Sequence, residues 1–519
     1  MGIKRYTAIA DTTITNAYKS NLTIRATGSN MGASDSLEVF RIYGQQDSGS
    51  IELSRILVKF PVTGTISIET DRSNGDIPAS GNVSFYLRMY NAEHPFTLPR
   101  DYNMTIAAVS ASWTEGNGLD MEAYSDSGSA NWNSTLSQSS GVSYWTTAGG
   151  DYHAEPRFTA SFDTGVENIE VDITDLVEQW ISGSSAGGSG MGVQNGKENY
   201  GLGIFLENET AISSSYTKKF FARGSEFFFK RPVIEARWDS ATKDNRGNFY
   251  YSSSLAPAVD NLNTLYLYNF VRGRLVDIPG LGSDNKIYVS LFSGSTDNTT
   301  TSGSALALSV GGGVATAGHI NATGSKVSTG IYSCSLALTA ANDSNTGYYP
   351  GVNITKLFDV WHTSSDGTGV GSTVFHTGTI EPVVLDSSII NPYPSYVFNI
   401  TNLRDTYYKS ETAQFRLYTR NKNWSPTIYT KANDTPENTI IESSSFKIVR
   451  LVDNLDVIAF GTGSDKHTTL SYDASGSYFD IDMDLLQAGY AYGIKLAFYD
   501  SAAKSWNEYP DVFKFRVEE

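Results

Sequence analysis

Cysteine occurs once in the 519 residues, at Cys334. A single thiol excludes an intrachain disulfide and a cysteine-built zinc site. Its place in the alternating run Gly330–Leu338 marks it as a small core residue rather than a nucleophile. Basic charge is also short: 38 Lys and Arg stand against 55 Asp and Glu, giving a net charge of −17 and a pI near 4.8. That balance argues against wrapping a phosphate backbone, so no nucleic-acid partner is expected. No apolar run reaches the ~20 residues of a membrane span, and the opening MGIKRYTAIADTT has no signal-peptide core. No membrane partner is expected. The same opening departs from the myristoylation pattern at Tyr6, where Ser or Thr is needed.

Chemistry-bearing patterns are scarce. The six histidines, His94, His153, His319, His362, His376 and His467, are scattered, with no spacing that would gather zinc ligands. His362 and His376 flank one candidate hairpin, which would let them face each other, and the favoured reading is two strand-surface imidazoles. Gly183–Gly187 fits G-x-S-x-G. The tract around it is Ser- and Gly-rich, without the buried strand and helix that a nucleophile elbow requires, so it reads as a loop. Asp480, Asp482 and Asp484 alternate, which places three carboxylates on one strand face, either solvated or bridged by a cation. Glu115, Asp120 and Glu122 lie near Trp113 in a long polar segment and form a candidate sugar-binding group. None of these makes a complete catalytic, cofactor or metal set. No enzyme activity, cofactor or metal is expected.

What the chain does have is strand and turn material. Apolar residues make up 40%, enough for real cores, and aromatics 12%. Thr, Ser, Asn and Gly abound, which favours strands and turns over helices. The expected fold is all-β, in several domains at roughly 150 residues each. Ile56–Phe60, Val83–Tyr90 and Met104–Val109 are early strand-like runs. Ile169–Ile181 changes period: Asp172 or Thr174 is placed to cap a short helix with Leu176, Val177 and Trp180 on one face. The polar segment from Glu115 to Ala160 is long enough to imply that it binds something or packs on a neighbour.

The chain is organised around Tyr216–Tyr251. Lys219–Arg223 and Glu226–Lys230 read as two runs about a Gly224-Ser225 hairpin turn. Val233, Glu235 and Arg237 alternate with Ile234, Ala236 and Trp238, as in a strand with one wet face. Trp238–Phe249 reads as a polar break open to proteolysis. Three units follow: a sandwich over residues 1–240 and Ig-like modules over 241–390 and 391–519. Lys218, Lys219, Arg223, Lys230, Arg231 and Arg237, with the aromatic Phe228, form a candidate partner-binding patch. The same charges also suit an edge strand guarded against pairing.

Two resemblances enter here. Ser54–Phe60, Val83–Tyr90, Ser112–Glu115, Asp172–Thr174 with Trp180, Asn199–Leu202, Phe220–Glu226 and Arg231-Pro232 occur in the order of the DNRLRE-type β-sandwich domain. The resemblance implies a jelly-roll-like sandwich of the kind used in carbohydrate-binding and surface-structure modules. Asn30-Met31-Gly32, Gly224–Trp238, Lys243–Pro257 and the final FKFRVEE resemble virion structural proteins of large marine tailed bacteriophages. That resemblance implies a protein made in the host cytoplasm without a signal peptide and built into the particle. Its partners would be other virion proteins, another copy of itself, or host surface glycans. An adhesin module that binds carbohydrate is the alternative.

Overall fold

The computed structural model describes residues 2–519 except 44–49, 94–98, 120–127, 139–140, 186–195, 211–214, 254, 282–284, 313–318, 340–353, 355, 364–372, 384–393 and 425–437. The architecture is all-β, a jelly-roll-like sandwich followed by two Ig-like modules.

The sandwich contains β1 (Ile3–Thr7), β2 (Ala10–Thr15), β3 (Ser36–Tyr43), β4 (Ile51–Lys59), β5 (Ser84–Met89), β6 (Tyr102–Val109) and β7 (Ser134–Gln138). It continues with β8 (Gly141–Tyr144), β9 (Tyr152–Phe162), β10 (Ile169–Asp172), β11 (Leu202–Leu206), β12 (Tyr216–Phe221) and β13 (Val233–Arg237). One sheet runs β1-β13-β5-β10; the facing sheet runs β12-β3-β4-β11-β6-β9, with β2 added to β4. Phe85, Leu87 and Met89 alternate inward from β5 to meet Ile56 and Val58 of β4 and Met104 and Ile106 of β6. The opposite face of β4 is also covered. Leu53 and Leu57 join Val109, Trp132 and Trp145 in a second apolar cluster, because residues 111–113 and 130–132, with Trp145, lie over the sheet. Helix α1 (Ile68–Asn74) and helix α2 (Thr174–Ser185) pack on this core through Ile68, Leu176, Val177 and Trp180, and Arg72 of the first forks onto Glu178 of the second at 2.7 and 2.6 Å. The α2 start matches expectation: Asp172 Oδ1 accepts the Thr174 N–H at 2.9 Å, and Leu176, Val177 and Trp180 are fully buried. Gly183 lies inside this helix rather than in a loop, while Gly187 falls outside the described residues.

The middle module contains β14 (Asn263–Tyr268), β15 (Phe270–Val271), β16 (Arg274–Leu275), β17 (Lys286–Gly294), β18 (Thr301–Ser302), β19 (Ala322–Ser328), β20 (Ile331–Leu336), β21 (Leu357–His362) and β22 (Val374–Ile380). Its main sheet runs β14-β20-β19-β17-β21-β22. Cys334 sits in its core, where burial pushes the thiol up to about 12.

The last module contains β23 (Tyr396–Ile400), β24 (Thr406–Tyr408), β25 (Thr412–Asn421), β26 (Ser444–Arg450) and β27 (Leu455–Ile458). It ends with β28 (Ser471–Asp473), β29 (Gly476–Asp482), β30 (Ala491–Asp500), β31 (Ser505–Glu508) and β32 (Phe513–Glu518). Its sheets, β23-β25-β29-β28 and β24-β32-β30-β26-β27, enclose stacked rings, with Phe446 and Phe479 at 4.4 Å between centroids.

The polar stretch after Trp238 is not an open break. Thr242 and Asp244 exchange backbone hydrogen bonds with Tyr472 of the last module, at 3.0 Å each. Arg246 Nη1 donates to buried Asp359 of the middle module at 2.6 Å, and Asn248 donates to Glu442 of the last at 2.7 Å. Asp244 and Asn248 are buried. The polarity that suggests a cleavable linker serves a joint, in which Thr242, Asp244 and Asn248 meet the last module and Arg246 meets the middle one.

Candidate functional site

The stretch from Tyr216 to Trp238 departs from the hairpin expected of it. β12 pairs with β3, and the chain after Gly224-Ser225 forms a 3-10 turn over Phe228–Lys230 instead of a returning strand. Ser225 holds that turn: its Oγ accepts the Phe227 N–H at 3.2 Å, and its carbonyl accepts Arg231 Nε at 2.8 Å. The turn separates the three phenylalanines. Phe227 is exposed beside Phe221, Phe228 packs against the last module, and Phe229 enters that module's core near Tyr492.

The candidate patch does not assemble as one free surface. Lys218 is fully buried and donates to Asn91 Oδ1 and to the Gly165 and Glu167 carbonyls, each at 2.8 Å. Burial lowers its ammonium to about 8, partly opposed by the Glu167 charge. Lys219 pairs with Glu38. Arg223 forks onto Glu115, whose Oε1 also accepts the Asp11 N–H at 2.7 Å. The Lys230 ammonium stands 4.8 Å over the Phe221 ring and 5.1 Å over Phe227. Each cation finds its counterpart within the chain.

Arg237 and Phe228 do bind a partner surface, but it belongs to the same chain. Every residue of β13 is buried, so the wet face expected for Glu235 and Arg237 is covered. Glu235 accepts from Arg5 Nε at 2.7 Å, Arg88 Nη1 at 2.8 Å and Arg237 Nε at 2.7 Å. Arg237 also reaches Glu170 at 2.7 Å and Asp465 of the last module at 3.6 Å. Arg5 Nη2 donates to the Val457 carbonyl of that module. Burial alone would raise the Glu235 carboxyl, but the Arg5, Arg88 and Arg237 charges outweigh it and hold it far below the usual carboxylate range. This ionic cluster, with Phe229 beside it, clamps the first module to the last.

Other sequence candidates are dispersed. β29 ends at Asp482, whose side chain accepts the Asp484 N–H at 3.1 Å, so Asp484 leaves the carboxylate row for a 3-10 turn. His362 is buried, not on a strand surface, with Nε2 at 3.0 Å from Ser290 Oγ; opposite His376 lies Trp361, not His362. Asp120 and Glu122 fall outside the described residues. Glu115 is occupied by Arg223, and Trp113 Nε1 donates to the Tyr200 carbonyl at 2.7 Å. Among the described residues, no three His, Cys, Asp or Glu side chains form a group able to hold a metal ion.

A feature that motif reading misses is an open cleft of about 670 Å³ on the outer face of the sandwich, lined by Arg55, Ser110, Thr146, Thr147, Asp151, Tyr152, Arg157 and Phe205. Strand alternation builds it. Arg55 sits between Leu53 and Leu57 on the outer face of β4, and Phe205 points outward from β11. Gly203 leaves room for Tyr152: a Cβ there would meet the ring at 2.0 Å. The Arg55 guanidinium forks onto Glu209 at 3.0 and 2.6 Å, donates to the Gly149 carbonyl at 2.8 Å and lies 5.0 Å over Phe205. Asp151 accepts the Thr146 and Thr147 N–H groups at 2.7 and 2.9 Å. Arg55 is thus neutralised by Glu209, and the exposed Arg157, 6.0 Å from the Phe205 ring, is balanced in the lining by the one carboxylate of Asp151. The cleft presents hydroxyls and ring edges at near-zero net charge, a surface suited to a neutral hydroxylated ligand. The alternating Ser54–Phe60 run carries Arg55, but no local signal announces that Tyr152 and Phe205 meet it.

No family model matches the chain, and no curated protein matches it. Among solved structures, the fibronectin(III)-like modules of Clostridium thermocellum CbhA are similar over 54% of this chain and 92% of theirs, at 12% identity and a TM-score of 0.14. A score that low carries no argument about this chain.

Proposed function

We propose that the chain is a non-enzymatic structural protein of a tailed-phage virion, its β-modules docking onto other particle proteins. The observation that supports this reading is the joint between modules. Arg5 and Arg237, gathered with Arg88 about the buried Glu235 carboxylate, reach the Val457 carbonyl and Asp465 of the last module, and the polar joint at 242–248 ties in the middle one. A part of a particle that must hold its shape under load needs such fixed joints, whereas a string of freely linked binding modules does not. The resemblance of Asn30–Gly32 and Gly224–Trp238 to virion proteins points the same way. Mass spectrometry of density-purified particles should find the chain at a fixed copy number that survives a high-salt wash. Its absence from particles that contain every other structural protein would reject the assignment.

A second reading, carbohydrate binding, is favoured by the Arg55–Tyr152–Phe205 cleft alone. On an array of neutral oligosaccharides, Arg157→Ala should lose any binding the parent chain shows while keeping its melting temperature, because Arg157 is exposed. An array on which the parent binds nothing would dismiss this reading and leave the particle assignment untouched.

A further inference from the structure

The middle module carries two exposed apolar patches of opposite charge at the two ends of one strand. At the far end of β14 the chain turns straight into the two-residue strands β15 and β16, joined by Arg272 and Gly273 with φ of 52° and 78°. This two-residue turn, left-handed at both positions, makes a tight protruding hairpin. Phe270 is 61% exposed, Val271 50% and Val276 42%. Residues on both faces of the hairpin are therefore in solvent, although a hairpin this short has little stability of its own. The hairpin is held at its base. Asn269 N–H donates to the Gly330 carbonyl at 2.8 Å, Val276 N–H donates to the Asn269 carbonyl at 3.1 Å, and Asp277 accepts from Lys326 at 2.6 Å. With Asp277 and Lys326 satisfying each other, Arg272 and Arg274 at the tip are exposed and meet no counter-charge among the described residues.

The near end of β14 is its complement. Leu255 is 95% exposed, Val259 75% and Val310 52%, and Asp260 beside them is exposed. These residues are held together as one surface: Asn261 Nδ2 donates to the Ser253 and Gly312 carbonyls at 3.1 Å each. Gly312 allows the close approach, since a Cβ there would meet the Ala258 carbonyl oxygen at 1.6 Å. The six residues of β14 separate the two patches by roughly 20 Å.

We propose that these ends are a head and a tail: the Phe270–Val276 hairpin of one copy docks on the Leu255–Val259–Val310 surface of a second copy, with Arg272 and Arg274 facing Asp260. The apolar side chains supply contact area and the charges set direction, cation at one end and carboxylate at the other. A contact between unlike surfaces is heterologous, so it propagates into a ring or an open row instead of stopping at a dimer. The net charge of the whole chain, −17, repels second copies at long range, so association rests on these local apolar and opposite-charge contacts. The inference does not depend on the particle reading, since it concerns the purified chain alone.

Sedimentation velocity on the full-length chain tests it. At low salt the average mass should rise with concentration beyond that of a dimer, and high salt should return it to the monomer. Arg272→Glu with Arg274→Glu, and separately Asp260→Lys, should each weaken association at least about tenfold. The variant with all three reversals should regain association, because the charges again oppose. Phe270→Ser should weaken the association at low salt without reversing its salt dependence. All these side chains are exposed, so unchanged melting temperatures confirm that the variants are folded. A parent chain that stays monomeric throughout would overturn the proposal, as would single-end variants that associate like the parent or a triple variant that fails to recover. Hairpin-dependent binding to phosphatidylserine vesicles by a monomeric parent would likewise overturn it, in favour of a lipid surface.

Discussion

Asp11 lies fully buried where β2 meets the end of β12, with one carboxylate oxygen accepting the Arg223 N–H at 2.6 Å. Burial pushes its carboxyl up to about 7; the Arg223 N–H opposes the shift and the Glu115 charge adds to it. The sign of the linkage follows. Between its ordinary value of 3.8 and about 7, the folded chain holds a proton there that the unfolded chain has released, so this residue costs stability as pH rises through that window. Asp11→Asn keeps an acceptor for Arg223 and removes the titration. The variant should match the parent near pH 4 and exceed it above pH 7, by a few kcal/mol with a ceiling near 4 kcal/mol. Denaturant titrations across pH check this, and a difference that does not vary with pH would refute the assignment. Sequence alone shows neither this carboxyl nor the buried Lys218. Alternation tells which face of a strand is apolar, but not that a second layer covers the polar face too.

At the scale of elements, the runs Ile56–Phe60, Val83–Tyr90 and Met104–Val109 fall on β4, β5 and β6, because period-two burial is a local property of the chain. The polar segment from Glu115 to Ala160 is legible only as too long to be idle. Its cover over β4 depends on Trp113, Trp132 and Trp145 meeting across distant sequence. One side chain fastens it. Asn30 Nδ2 donates to the Glu115 and Ala130 carbonyls at 2.6 and 2.8 Å, and its Oδ1 accepts the Gly32 and Gly118 N–H groups at 3.0 and 3.1 Å. Donors and acceptor are both used, so an isosteric carboxylate cannot replace the amide. Asn30→Asp should cost about 3 kcal/mol or more, since two carbonyls lose their donor and a charge is buried. Hydrogen exchange should then quicken across 110–118 and 129–136 while the amides of β5 and β13 keep their protection. Uniform loss of protection in both sheets would show instead that the cover is not a separate unit. Thr146, Thr147 and Asp151, which follow this cover in sequence, line the cleft.

For the whole molecule, the question is whether three modules behave as one. The sequence places a break after Trp238 because DSATKDNRGN has nothing apolar to bury. It cannot show that Asp244 and Asn248 meet the last module or that Arg246 meets Asp359, since those partners lie more than a hundred residues away. The clamp at Glu235 holds the modules close enough for that joint to form. In Glu235→Gln, the buried Arg237 and the partly buried Arg5 and Arg88 would surround a neutral amide, a loss of roughly 3–5 kcal/mol when one member of a buried ionic cluster is removed. The pH dependence runs opposite to that of Asp11. The folded carboxyl is depressed below its ordinary value of 4.5, so its contribution is complete above that value and is lost as pH falls through it toward the folded one. The parent should therefore resist limited proteolysis between residues 239 and 249 at neutral pH and unfold in a single transition. The variant should be cut there and release the last module in an earlier transition. Acidification should erode the parent's advantage over the variant. Equal cleavage of both chains at 239–249 at neutral pH would mean that the joint stands without the clamp, and that Glu235 stabilises only its own sheet.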